Sequence, residues 1–155
     1  MADATVTTVE SGPHQVSRRV RVNASAAHIF GLVANPHRHP ELDGSGTVRE
    51  TPVTGPDTLG PGARFSVGMK QFGVPYTITS TVTAFEDNKV VEWQHPMGHR
   101  WRRELNETSP TETEVTETFD YSTIKVPRII EILGYDKKNG AGIESTLRAL
   151  AARFA

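Results

Sequence analysis

Polar and apolar residues alternate through most of the middle of this chain, and a three-to-four spacing replaces the alternation near its end. Alternation is the period of a strand with one covered face; the wider spacing is that of a helix with one apolar stripe. The first alternating stretch runs from His14 to Val22, where Val16, Val20 and Val22 share a parity broken by Ser and Arg. Asn23 and Ser25 then offer cap oxygens to a helix through Ala26, Ala27, Ile29, Phe30 and Val33, which Asn35-Pro36 stops. Between Pro36 and Gly46 there is room for one irregular helical turn. Further strands are predicted over Thr47–Val53, Ala63–Lys70, Tyr76–Phe85, Val90–His95, Arg100–Asn106 and Glu114–Tyr121. Turn residues stand at the joints: Gly55 to Gly62, Gly73, Asp87-Asn88, Pro96 with Gly98, and Ser109-Pro110.

From Val126 to Ala155 the period is helical. Pro127 suits a first helical position, and Ile129, Ile130 and Leu133 form a stripe before Gly134. Past the interruption at Gly140 and Gly142, Ile143, Leu147, Leu150 and Phe154 recur on one face. The fold class is therefore α+β: a curved antiparallel sheet of about seven strands wrapped around a long C-terminal helix, with one or two short helices after the first strand. Residues 1–13 lack any period and are expected to be a flexible tail, leaving 14–155 as a single ligand-binding domain.

Composition narrows the function classes. The 155 residues fit one domain with a real core, and 17 basic against 18 acidic residues leave no global field for nucleic acid or an anionic membrane. Without cysteine there is no disulfide, thiolate metal site or cysteine nucleophile. A polar, Thr-rich start and the lack of a long apolar window lead us to expect a cytoplasmic protein with no membrane span. No phosphate-binding glycine loop and no Gly-x-Ser-x-Gly elbow occur, which removes support for phosphoryl transfer and serine hydrolysis. His37, His39, Glu41 and Asp43 are ligand-type residues, but their spacing fits no zinc motif, so no metal and no cofactor are expected.

Strand parity selects the inner face. Phe65, Val67 and Met69 share it on one strand, and Tyr76 and Ile78 on the next. Then come Trp93 and His95; Trp101 and Arg103; and Glu117, Phe119 and Tyr121. A turn around Ser109 to Thr111 sets Arg103 opposite Glu117 and Trp101 opposite Phe119. A turn centred on Gly98 would set Trp93 beside Arg103 and His95 beside Trp101. Arg103, Glu117 and His95 are thus the candidate catalytic or ligand-orienting groups, a guanidinium that forks onto an oxyanion and an imidazole that moves protons near neutral pH. The alternative is an ion pair that fixes register, and the aromatic set can equally be plain core. From the helical region, Ile129, Leu133, Ile143 and Leu147 would complete the wall. Arg100 and Arg102 take the outer parity, where Glu104, Glu114 and Asp120 dilute them.

The chain resembles the START-like (SRPBCC) superfamily with the helix-grip fold, in its polyketide cyclase/dehydrase-like branch. The resemblance rests on element order and on Ala26-Ala27-His28-Ile29-Phe30, Gly62-Ala63-Arg64-Phe65, Val90-Val91-Glu92-Trp93 and Thr116-Glu117-Thr118-Phe119-Asp120-Tyr121. Many bacterial relatives carry a tryptophan-rich segment where this chain has His37 to Gly44. The resemblance implies a cavity between sheet and C-terminal helix for a hydrophobic small molecule, lipid-like or aromatic polyketide-like. A carrier or sensor is the leading expectation, a cyclase- or dehydratase-type enzyme using Arg103, Glu117 and His95 the second, and a filled-core protein-interaction domain the third.

Overall fold

The computed structural model describes residues 5–35, 48–56, 59–71 and 73–155. Among the described residues, eight strands form one antiparallel sheet. In chain order they are β1 (Thr7–Val9), β2 (Gln15–Val22), β3 (Val48–Thr54), β4 (Arg64–Gln71), β5 (Val74–Glu86), β6 (Val90–Gln94), β7 (Arg100–Ser109) and β8 (Glu112–Asp120). The spatial order is β1-β2-β8-β7-β6-β5-β4-β3, so the first long strand and the last lie side by side. The sheet, with the C-terminal helix laid against it, is the expected α+β helix grip. Residues Thr7–Val9, read above as tail, pair with Ser17–Arg19 as a short edge strand.

Helix α1 (Ala26–Val33) follows β2 directly, and its Ser25 cap oxygen accepts the His28 amide, as the sequence pattern requires. A second cap comes from far along the chain: Glu107 accepts the Ala26 amide at 2.9 Å. The helix buries Ile29, Phe30, Leu32 and Val33, and Phe30 meets Phe85 of β5 edge to face. The expected helical turn between Pro36 and Gly46 falls outside the described residues.

The C-terminal helical stretch is two helices, α2 (Arg128–Ile132) and α3 (Tyr135–Arg153), separated by Gly134 in the left-handed conformation at φ 75°. A glycine there turns the chain at no steric cost, so the apolar stripe does not continue across it. By contrast, α3 runs unbroken through Gly140 and Gly142. It lies over β2 and β8 and buries Ile143, Leu147 and Leu150. Gly140 explains how closely it lies: a Cβ there would be 3.2 Å from both Val16 Cγ1 and Arg18 Nη2.

Candidate functional site

The inner face carries a polar row across three strands. Arg18 on β2 pairs in register with Glu117 on β8, and Glu117 with Arg103 on β7. Arg103 Nε donates to Glu117 Oε1 at 2.7 Å. Both side chains are deeply covered, with residue exposures of 9% and 4%. Arg103 also lies over the ring of Trp93, 5.3 Å from its centroid, where the guanidinium meets the negative π face. Its Nη1 is buried and has no hydrogen-bond partner. Arg18 turns the other way: its Nε meets Glu144 of α3 at 3.3 Å and its Nη1 donates to the Ser17 carbonyl. Arg18 therefore ties the helix to the sheet, while Arg103 leaves one donor unused.

Beyond this row the inner face turns aromatic. Trp101 and Phe119 are opposed in register with ring centroids 4.8 Å apart, and Tyr121 follows 5.5 Å from Phe119. The β6–β7 turn adds two imidazoles. His95 and His99 stack at 4.2 Å, and His99 meets Phe119 edge on at 5.3 Å. Burial lowers the pKa of His95, and it lowers His99 to about 4, with the neighbouring His95 opposing a second charge. The Met97 amide donates to His95 Nδ1 at 3.1 Å, which assigns the proton of the neutral ring to Nε2. At neutral pH both rings are uncharged. At the open edge of this group, Tyr121 donates its hydroxyl to Glu131 Oε2 at 2.7 Å, and His14 Nδ1 lies 3.0 Å from the same oxygen. Those two hydrogen bonds hold the Glu131 carboxyl below its usual range, whereas burial and then Glu131 itself push the Tyr121 phenol upward.

Most of the sequence-derived inner set converges. Phe65 meets Trp93 edge to face, and Val67, Ile143 and Leu147 are buried in the same core. Ile78 is half-buried on β5, while Tyr76, nearer the β4–β5 turn, is exposed. The side chain of Met69 and the segment from His37 to Asp43 fall outside the described residues.

Two expectations are corrected. Trp93 pairs with Trp101, and Val91 with Arg103, because the turn closes His95 onto His99 around Met97 instead of Gly98. The slip is an even number of residues, so every side chain keeps its face. Ile129 and Leu133, expected on the wall, are 47% and 60% exposed, since α2 is not in line with α3. Sequence reasoning missed Arg18, although it shares the parity of Val16, Val20 and Val22, and it missed His99, whose place in a turn gave no period to follow.

On the outer face of β6 and β7 the cations gather on two carboxylates, although Arg100 Nε is itself buried without a partner. Glu92 accepts Arg102 at 3.2 Å and Thr83 at 2.9 Å and lies 3.8 Å from Arg100, while Glu104 takes the other side of Arg102. That leaves no free basic stripe for a nucleic-acid backbone on these strands. A groove of about 260 Å³ opens on this side between Arg19, Lys89, Glu104 and Glu114, on the opposite face of the strands from the inner polar row. Among the described residues, no three His, Asp or Glu side chains are grouped to hold a metal. No helix among them is long and apolar enough to cross a membrane.

No family model matches the chain. It is 52% identical to the uncharacterized protein Rv0088 of Mycobacterium tuberculosis over 155 residues, covering 97% of this chain and 69% of that protein. A START superfamily protein from Mycobacterium smegmatis superposes with a TM-score of 0.67 at 18% identity, covering 91% of this chain and 97% of the other. The Polyketide_cyc-like protein Cgl2372 from Corynebacterium glutamicum superposes at 0.62 and 18% identity, covering 88% of each. The chain thus belongs to the family of the mycobacterial protein Rv0088, and its architecture is the START-like (SRPBCC) helix grip of the polyketide cyclase-like kind.

Proposed function

We propose that residues 14–155 form one ligand-binding domain, a carrier or sensor that takes a hydrophobic small molecule bearing an acceptor oxygen between the inner face of the sheet and α3. The observation that carries this reading is Arg103. Its Nη1 is buried without a partner beside Trp93, while Nε is satisfied by Glu117. Leaving a buried donor unsatisfied costs about 1–3 kcal/mol, which a carbonyl, enolate or carboxylate oxygen would recover on binding. Phe65, Trp93, Trp101, Phe119 and Tyr121 supply apolar surface around that donor for a lipid-like or aromatic polyketide-like body.

Native mass spectrometry of the purified protein should reveal a retained ligand, and an apolar fluorescent dye should compete with it and quench tryptophan emission. Arg103→Met combined with Glu117→Gln removes the fork without stranding a buried carboxylate. The double variant should keep near-normal stability and lose about tenfold or more in dye and ligand affinity, equivalent to about 1.4 kcal/mol. Unchanged affinity would reduce the pair to a lock on strand register.

A second reading, a cyclase- or dehydratase-type enzyme, is favoured by the two imidazoles kept uncharged beside the aromatic wall. In that reading Arg103 holds a developing oxyanion, His95 offers the proton on Nε2, and His99 or Glu117 accepts one. Loss of water from the retained compound during incubation with protein, or its conversion to an isomer of different chromatographic retention, would support it; a compound that stays unaltered would leave binding alone.

A further inference from the structure

We propose that the segment from Val126 to Tyr135, together with the β6–β7 turn, is a docking surface for an anionic lipid membrane. Helix α2 has no fully buried residue: of its three isoleucines, Ile130 packs partly against the core while Ile129 and Ile132 are exposed. Ile132 is 77% exposed, and Val126, Ile129, Leu133 and Tyr135 are exposed around it. Met97, 75% exposed, belongs to the same end, because Thr123 donates to the Gly98 carbonyl and Gly98 packs against Ile124. Contiguous apolar exposure of this kind marks a surface that is covered in use.

Charge selects the cover. Lys125, Arg128, Lys137 and Lys138 are all exposed around the apolar group. The same stretch holds two acids against these four cations: Glu131, ionised and bonded to Tyr121 and His14, and Asp136, one of whose carboxylate oxygens is buried, so the local balance stays positive. A chain of net charge −1 therefore presents a local cationic rim around an apolar centre. Apolar side chains that enter the acyl boundary while lysines meet anionic headgroups are the two elements of interfacial binding. A second copy of this chain fits worse, since a two-fold contact through this face would bring two positively charged rims together. The surface borders the aromatic end of the inner face through Tyr121, and it does not depend on what that face binds.

Sedimentation with vesicles tests the proposal directly. The protein should pellet with vesicles of phosphatidylcholine containing about one-third phosphatidylglycerol, should not pellet with phosphatidylcholine alone, and should be released by high salt. Ile132→Ser with Leu133→Ser should lower the vesicle partition coefficient about tenfold or more, with an unaltered thermal midpoint because neither residue is buried. Lys137→Glu with Lys138→Glu should lower it by a similar factor at low salt only. Failure of the native protein to pellet with anionic vesicles would overturn the proposal. So would apolar and charge variants that pellet like the native protein. A dimer in sedimentation velocity that the Ile132→Ser, Leu133→Ser variant dissolves, without vesicle binding, would make the patch a self-association surface instead.

Discussion

His99 illustrates how one residue's surroundings set a pH response. Packed between His95, Trp101 and Phe119, its ring has lost water on most sides, and its pKa falls to about 4 from an ordinary 6.5. The unfolded chain therefore binds a proton between these values that the native state refuses. Stability is full above about pH 6.5 and is lost as pH falls towards about 4, below which this group adds nothing further. The loss is at most about 3 to 4 kcal/mol, and less in practice because the ring keeps some contact with solvent. Urea unfolding of the native protein and of His99→Phe at pH 7 and pH 4.5 should show a clearly smaller acid-induced loss in the variant. An imidazole that titrates near 6.5 by NMR would show that the ring is not desolvated. His99 and Arg18 also mark the limits of reading single residues from sequence. Arg18 stood in plain view on the valine parity of β2, whereas nothing in His95-Pro96-Met97-Gly98-His99 said that the turn folds its last imidazole back onto the first.

At the scale of elements, strands proved more legible than the joints between them. The last hairpin has the expected register from Trp101 to Leu105, because alternation on both strands and a short turn leave one consistent pairing. The preceding hairpin pairs two residues away from the expected register because Met97, and not Gly98, is the centre of its turn. Its φ of 107° shows what the glycine supplies, a positive dihedral one position past the centre. Helix glycines carried a similar ambiguity, since Gly140 looked like an interruption and is a point of close approach. Two substitutions separate these meanings. Gly31, at an exposed position of α1 with open space where a Cβ would go, should tolerate Ala with a gain of about 0.5–1 kcal/mol from helix propensity. Gly140→Leu should instead cost about 1–3 kcal/mol, because Val16 and the anchored Arg18 guanidinium occupy the space. Denaturant midpoints that moved alike for both variants would show that α3 does not lie this close to β2.

For the whole molecule, the architecture was legible because the grip is a matter of periods: runs of two, then one long run of three and four. What the periods could not carry was the relation between α2 and α3. A left-handed residue at Gly134 resets the phase, so Ile129 and Leu133 point away from the face that buries Ile143 and Leu147. Helix α2 is then left with little to hold it. Besides Ile130, which packs partly against the core, its polar tie to the sheet is Glu131, which accepts the Tyr121 hydroxyl just past β8 and meets His14 just before β2. Both bonds stabilise the ionised carboxyl and lower its pKa, so the tether is complete above the ordinary glutamate range and is lost as pH falls through the lowered value. Tyr121→Phe removes the hydroxyl and keeps the ring against Phe119. Amide exchange over residues 126–135 should then quicken several-fold while exchange in β7 and β8 stays unchanged, because only local opening is affected. Acidification of the native protein should reproduce the same pattern, and His14→Ala should reproduce part of it. Exchange in 126–135 that ignores both variants would mean that backbone contacts to α3, and not Glu131, keep α2 in place.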